Sequence, residues 1–512
     1  MPRARLLVLA FLVLPTLGAD TRLDTYPRRT GIDVENYRFE ITLSDDTDEI
    51  EGQATVSLRF RANGVVTLPL DLSNVDDSGR GMRVSAVTMS GAALDYTHEN
   101  DLLTIRLAEL GRAGHRIDVT VEYRGTPAGG LRIGPNKYGD RTFFSDNWPN
   151  RARNWLPTID HVYEKATNEF VVTAPSQYQV VSNGLLVEES DLGDGARLTH
   201  WKQSVPISPW LFTLGVARFA VQKVDDFEGK PIQTWVSRQD RDAGFYDFAV
   251  PTKQVLEFFD DYVGPFAYEK LANVTSPATG GGMEAVTEAD WDDVWLSEGF
   301  ATYFTLLFRE HAYGRDDFVD GLKSSAERVF AQYEQDPDYR IVHDDLDDMS
   351  RVTSGATYQK GAWVLHMLRK RMGDEAFWSG IQRYYAAHLN GSATTDDFRS
   401  AMEQAAGEDL EPFFRQWLYQ GGNPHLTGWW RYDPTAQAVS IEINQTQTNV
   451  GPFDLPLEVG IYIGTGERPT SIHTVHVTGG FHRFVIPVSG EPDDVRLDPD
   501  TWALFRADFE RR

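Results

Sequence analysis

The sequence predicts a multidomain α+β protein: a β-rich N-terminal part, a mainly helical middle and a small C-terminal β-sandwich. Three observations carry this. From about residue 37 to residue 219 the chain runs in short segments of alternating apolar and polar residues, with turn residues between them. Examples are Ala54-Thr55-Val56-Ser57-Leu58-Arg59-Phe60 and Ile117-Asp118-Val119-Thr120-Val121-Glu122-Tyr123. From about Pro251 the apolar spacing lengthens to three or four residues. After Leu426 the two-residue alternation returns, in segments 438–443 and 457–463. Strand side chains point alternately to opposite faces, whereas residues three or four apart share one side of a helix, so the two spacings separate the two kinds of element.

Composition sets the outer bounds. The chain has 512 residues, with 49 Lys and Arg against 76 Asp and Glu, for a formal net charge of −27. A length of this order suits roughly three domains. With 13 Trp and 28 Phe the chain can build large cores, which excludes global disorder. The acidity argues against nucleic acid or an anionic membrane surface as the main partner. Cysteine is absent, which excludes disulfides, Cys-ligated zinc, iron–sulfur clusters and a thiol nucleophile.

The first residues follow the order of a secretory signal: Arg3 and Arg5, an apolar run over 6–14, then Pro15 and the small residues Gly18 and Ala19. The run is shorter than the roughly 20 residues needed to span a bilayer, and no Cys follows it to carry a lipid. Residues 1–19 are therefore expected to be a signal peptide, and the product to be exported to the periplasm or beyond as a soluble protein. Next come an N-terminal β-domain over 20–219, a helical domain over 220–426 and a C-terminal β-sandwich over 427–512. Helices are expected at 252–262, 292–313, 316–334, 359–372, 374–388, 395–407 and 412–419, the last stopped by Gly421, Gly422 and Pro424.

Several blocks stand out along this frame. They are Asn154-Trp155-Leu156-Pro157-Thr158-Ile159-Asp160-His161, followed by Lys165-Ala166-Thr167 and Val181-Ser182-Asn183-Gly184; Gly281-Gly282-Met283-Glu284; Trp291-Asp292-Asp293-Val294-Trp295-Leu296-Ser297-Glu298-Gly299-Phe300-Ala301; Tyr358-Gln359-Lys360-Gly361-Ala362; and Trp417-Leu418-Tyr419. In this order the chain resembles the aminopeptidase N-like family of zinc metallopeptidases, the gluzincins. The resemblance implies a thermolysin-like helical catalytic domain, a zinc cofactor and removal of N-terminal residues from peptides with a free N-terminus. It also implies that the family's further C-terminal helical domain is missing. By the same resemblance Glu298 matches the third zinc ligand, and Tyr358 matches the donor that stabilises the oxyanion. Glu284, beside Gly281 and Gly282, matches the residue that receives the substrate's α-ammonium. Ala285 departs from the Asn usual after that Glu.

In that family two His one helical turn apart, in His-Glu-x-x-His, hold the metal, and the intervening Glu is the general base. No such motif occurs here. Among twelve His only His98 precedes a Glu, in an alternating segment and without a second His. Counted back from Glu298 by roughly 23 and 19 residues, the family spacing puts the two ligands at Thr275 and Thr279, with Ser276 as the base. Pro277 and the glycines at 280–282 disfavour a helix there. Glu284 lies only fourteen residues before Glu298, an interval that in the family contains the whole metal-binding helix. The simplest reading is an internal deletion of a few tens of residues joined near Ala285-Val286-Thr287. The chain as it stands is thus expected to bind no zinc and to be catalytically dead, a probable pseudoenzyme or a defective copy. The alternative is a non-catalytic peptide-binding protein using Glu284 and the remnant cleft.

Other residues receive structural expectations. His161 is expected to be structural. Asp146 and Asn147 fall near where relatives carry a residue that selects the substrate's first side chain. His311 sits roughly 140° around the helix from Glu298 and is not expected to share an ion with it. Loss of a core helix should leave a large cavity and bare apolar surface on the Glu298 helix, weakening the middle domain.

Overall fold

The structure, a computed structural model, describes residues 24–277, 286–343, 346 and 349–512. The expected signal peptide therefore lies outside the described residues, as do Gly281, Gly282, Glu284 and Thr279.

The N-terminal part is β-rich, as the alternation predicts. Strand Ile32–Thr42 sits inside an eight-stranded sheet, pairing antiparallel with Ile50–Phe60 and parallel with Ala166–Pro175. A bulge between Val34 and Asn36 shifts the alternation by one residue, so Val34 and then Tyr37, Phe39 and Ile41 face inward. A four-stranded sheet of Gln179–Ser182, Leu214–Ala217, Arg141–Ser145 and Leu131–Pro135 lies on the side that will matter for function. A third sheet joins Phe219–Phe227, Lys230–Ser237 and Leu271–Val274. The last two of these run parallel, and helix α1 (Arg241–Tyr262) makes the crossover that parallel strands require.

Six more helices follow: α2 (Trp295–Tyr313), α3 (Arg315–Gln335), α4 (Gly355–Met372), α5 (Asp374–His388), α6 (Thr395–Ala406) and α7 (Glu411–Leu418). Two starts differ from expectation. Helix α1 begins eleven residues early and carries Pro251 in its interior, although the helix was expected to start only after that residue; next to it, Thr252 donates its hydroxyl to the Phe248 carbonyl. Helix α4 begins at Gly355 because Ser354 caps it. The Ser354 hydroxyl accepts from Ala356 and Thr357, while Thr357 accepts from the Ser354 N–H. The C-terminal part packs a four-stranded sheet, Phe481–Pro487, Ala438–Gln445, His425–Asp433 and Arg506–Arg511, with a three-stranded sheet, Ser471–Val477, Leu455–Tyr462 and Asp494–Leu497. No helix among the described residues is long and apolar enough to cross a membrane.

One apolar core fills the N-terminal sheets and takes in Trp291 and Val294 at the entrance to α2. The second is shared by the helices and the C-terminal sheets: Trp295, Trp363 and Trp417 belong to the same cluster as Ile441, Leu457 and Val459. A buried lysine ties α4 to α3 and to the chain that leaves α7. The Lys360 ammonium, on α4, donates to the Tyr333 hydroxyl at 2.9 Å, to the Gly422 carbonyl at 2.9 Å and to the Gln420 carbonyl at 3.4 Å. Lys360→Met keeps the bulk but strands those oxygens, and should cost about 1–3 kcal/mol. A lower thermal unfolding midpoint, read together from helical and aromatic signals, checks this.

Candidate functional site

The site is built where α2 crosses α4. A 3-10 turn, Trp291–Asp293, leads into α2. Its geometry is fixed by a chain of hydrogen bonds: Trp295 Nε1 donates to Thr395 Oγ1 at 2.8 Å, and Thr395 in turn donates to Asp293 Oδ1 at 2.5 Å. Trp291 packs edge-on against Trp148 of the β-domain, with ring centroids 5.2 Å apart. With its start held this way, α2 places Glu298 in its first turn, where the helix dipole favours a carboxylate.

The crossing itself depends on two glycines. A Cβ added at Gly299 would meet the Gly361 backbone at 3.0 Å, and one added at Gly361 would meet Gly299 Cα at 3.0 Å. Only glycine lets the two backbones come this close. Tyr358 lies one turn before Gly361 on α4 and is thereby brought against Glu298, to which its phenol donates a hydrogen bond. Two residues that lie sixty positions apart in the sequence form one unit. Burial pushes the Glu298 carboxyl up to about 7, and the Tyr358 hydrogen bond opposes that rise. Among the described residues no cation pairs with Glu298.

This pair lines a cavity of about 730 Å³ between the helices and the N-terminal β-domain. Asp146 and Asn147 line the same cavity, on the β-domain side. Asp146 is ion-paired with Arg151 at 2.8 Å. Asn147 is spent on the scaffold: its amide donates to the Phe212 carbonyl at 2.7 Å, and its oxygen accepts from Trp155 Nε1 at 2.9 Å. The positions that spacing would assign to imidazoles are elsewhere in kind. Thr275 follows strand Leu271–Val274, donates its N–H to the Trp235 carbonyl at 2.9 Å and accepts at its hydroxyl from Ser237 N–H. It is not helical, in line with the expectation from Pro277 and the glycines.

His161 is structural. It is buried, its Nε2 lies 2.5 Å from Asp24 Oδ2, its Nδ1 lies 2.9 Å from Arg28, and its ring stacks on Tyr26. His311 lies toward the other end of α2, against the Phe258 ring at 4.9 Å. A cavity lies beside α2, and the expected bare apolar face on that helix is largely covered. Phe259 of α1 stacks on Phe304, and Phe258 packs on Phe308, and the exposed position of α2 that lines the cavity is the small residue Ala301.

A second acidic group was not singled out from the sequence. Carboxylate oxygens of Asp290, Asp292 and Asp293 lie within 4.8 Å of one another. Arg28 pairs with Asp290, and Thr395 serves Asp293. Burial, and then the neighbouring Asp292, push the Asp293 carboxyl up to about 7. The adjacent acids 292 and 293 were visible in the sequence; their approach to Asp290 depends on the turn.

With the geometry in place, known proteins can be set beside it. The Peptidase M1 N-terminal domain matches residues 33–211, and the Peptidase family M1 domain matches residues 281–417. The chain belongs to the M1 peptidase family, and its architecture is the M1 fold. Glutamyl aminopeptidase of Mus musculus is 24% identical over 417 residues, covering 72% of this chain and 44% of the relative. Aminopeptidase N of Streptomyces lividans is 26% identical over 459 residues, covering 78% and 52%. The M1 zinc metallopeptidase of Deinococcus radiodurans superposes with a TM-score of 0.65 at 23% identity, covering 76% of this chain and 93% of that one. The chain spans about half the length of the curated relatives it matches. A zinc of the family type needs imidazole donors beside its carboxylate; here the cavity supplies Glu298 and no imidazole from the described residues, and segment 278–285 contains no His. The residues present do not fit that ion.

Two outcomes test the local physics. Gly361→Ala forces α2 and α4 apart at their crossing and should cost about 1–3 kcal/mol; an unchanged unfolding midpoint would contradict the close-contact account. Asp293 has a raised folded pKa, so its contribution is favourable below its ordinary acid range and is lost as pH rises toward 7. Asp293→Asn should therefore stabilise the protein by on the order of 2 kcal/mol near pH 8 and by nothing near pH 4. Thermal unfolding of both proteins across this range provides the comparison.

Proposed function

We propose that this chain is an exported aminopeptidase of the M1 family by descent that does not hydrolyse peptides. One observation carries the reading: Glu298, which matches the family's third ligand, is hydrogen-bonded to Tyr358 in a cavity that no imidazole lines among the described residues. Tyr358 matches the family's oxyanion stabiliser, yet among the described residues that line the cavity there is no imidazole, and Asp146, the other carboxylate, is paired with Arg151. A carboxylate alone holds zinc weakly against water, so no hydrolytic step is assigned to these residues. Export rests on the signal-like order of the first nineteen residues.

A second reading is favoured by the cavity itself. Its volume falls within the roughly 300–1,000 Å³ of small-ligand sites, and it keeps a carboxylate on its wall. On this reading the protein binds peptides with a free N-terminus without cleaving them, with Glu284, Gly281 and Gly282 contributing as in relatives.

Elemental analysis of purified protein should find well under one zinc per chain, and aminoacyl chromogenic substrates should stay uncleaved with or without added zinc. A full equivalent of zinc together with cleavage would overturn the first reading. Binding without cleavage, measured by calorimetry with short peptides, would establish the second.

A further inference from the structure

On the peptide-binding reading above, we infer that Glu298 is the cation receptor of this cavity, and that the ligand is a primary ammonium carried on an apolar body. Among the described residues Glu298 has no cationic partner. It is a half-buried carboxylate on the cavity wall, and a buried carboxylate is costly unless a positive group or several donors meet it. Tyr358 supplies one donor. A carboxylate has about four acceptor sites, which leaves capacity for the N–H groups of an ammonium.

The cations that could have met this need are committed elsewhere. Two basic side chains line the cavity, Arg151 and Lys270. Arg151 is paired with Asp146 at 2.8 Å. The Lys270 ammonium donates to the Ser182 and Gly184 carbonyls, each at 2.5 Å, and lies 4.5 Å over the Trp201 ring. Both are thus tied to the β-domain. Among the described residues no further basic side chain lines the cavity, so the cation that would meet Glu298 is one brought in by a ligand.

The surroundings select the form of that charge. Across the cavity from α2 stand Trp148, Trp210 and Phe266, with Trp148 and Trp210 packed edge-on at 4.8 Å. One turn after Glu298, the wall of α2 is the exposed methyl of Ala301, which leaves room beside the carboxylate. An aromatic wall facing a carboxylate that no cation meets among the described residues suits an ammonium attached to an apolar group. A divalent ion would need more charged donors than Glu298 and Tyr358 provide. Two sources carry the shared chemistry: the N-terminal residue of a peptide and a free arylalkylamine.

Calorimetry on the full chain decides this with three probes: phenylalanyl-alanine amide, its N-acetylated form, and phenethylamine. The free-amine peptide should bind and the acetylated one should bind at least about tenfold more weakly. Phenethylamine matching the peptide would identify a small amine as the source, and its failure would identify the peptide N-terminus; both support the receptor. Glu298→Gln, with an unchanged unfolding midpoint, should weaken the free-amine probe about tenfold or more. Ala301→Leu, which keeps the carboxylate and fills the space beside it, should weaken it as well and serves if Glu298→Gln does not fold. Amine-selective binding that survives Glu298→Gln and falls with Glu284→Gln overturns the assignment and leaves the peptide-binding reading standing. Failure of the parent chain to bind any probe at millimolar concentration overturns both.

Discussion

The contact between Gly299 and Gly361 is the constraint on which the site depends. At 3.0 Å from backbone to a would-be Cβ, it fixes how closely α2 and α4 cross. That crossing decides which residues of the two helices meet, and it makes Glu298 and Tyr358 neighbours. Both glycines are buried in the helical part, and neither lines the cavity. Their role is to make two backbones act as one rigid wall, so the site's geometry comes from packing between helices rather than from loop conformation.

The cavity that this wall faces is bounded on both sides by residues with partners of their own. Its far side is a β-sheet whose residues have their own commitments, Asn147 to Phe212 and Trp155 and Lys270 to two carbonyls. A sheet held internally cannot move in to fill space. On the helical side, the aromatic residues of α2 find partners in α1 through Phe258 and Phe259. Apolar surface is thus covered laterally, while the space in front of Glu298 stays open.

Much of this was legible in the sequence, and the reasons for the misses are physical. The switches in spacing located the strands and helices because burial imposes them. The Glu298 block and the Tyr358 block could be named, but not their contact, which depends on the third dimension and on two glycines that look unremarkable in a helix. The early start of α1 was hidden by Pro251, which reads as a break until the surrounding turns are seen to hold. The Ser354 cap of α4 was readable, since a Ser followed three residues later by Thr can bond reciprocally. The grouping of Asp290 with Asp292 and Asp293 was not, because a 3-10 turn rather than a helical spacing brings them together. The absence of paired imidazoles, by contrast, needed no structure at all.

The core shared by the helices and the C-terminal sheets has a consequence for how such a protein can change. Trp363 and Trp417 rest on the same apolar mass as Ile441 and Leu457, and Lys360 ties that mass to the chain leaving α7. The residues that hold the helical part together are therefore not those that face the cavity. Lineages of this design can lose or exchange the chemistry at one wall while their solubility and shape are underwritten elsewhere, which makes the scaffold a reservoir for new binding roles.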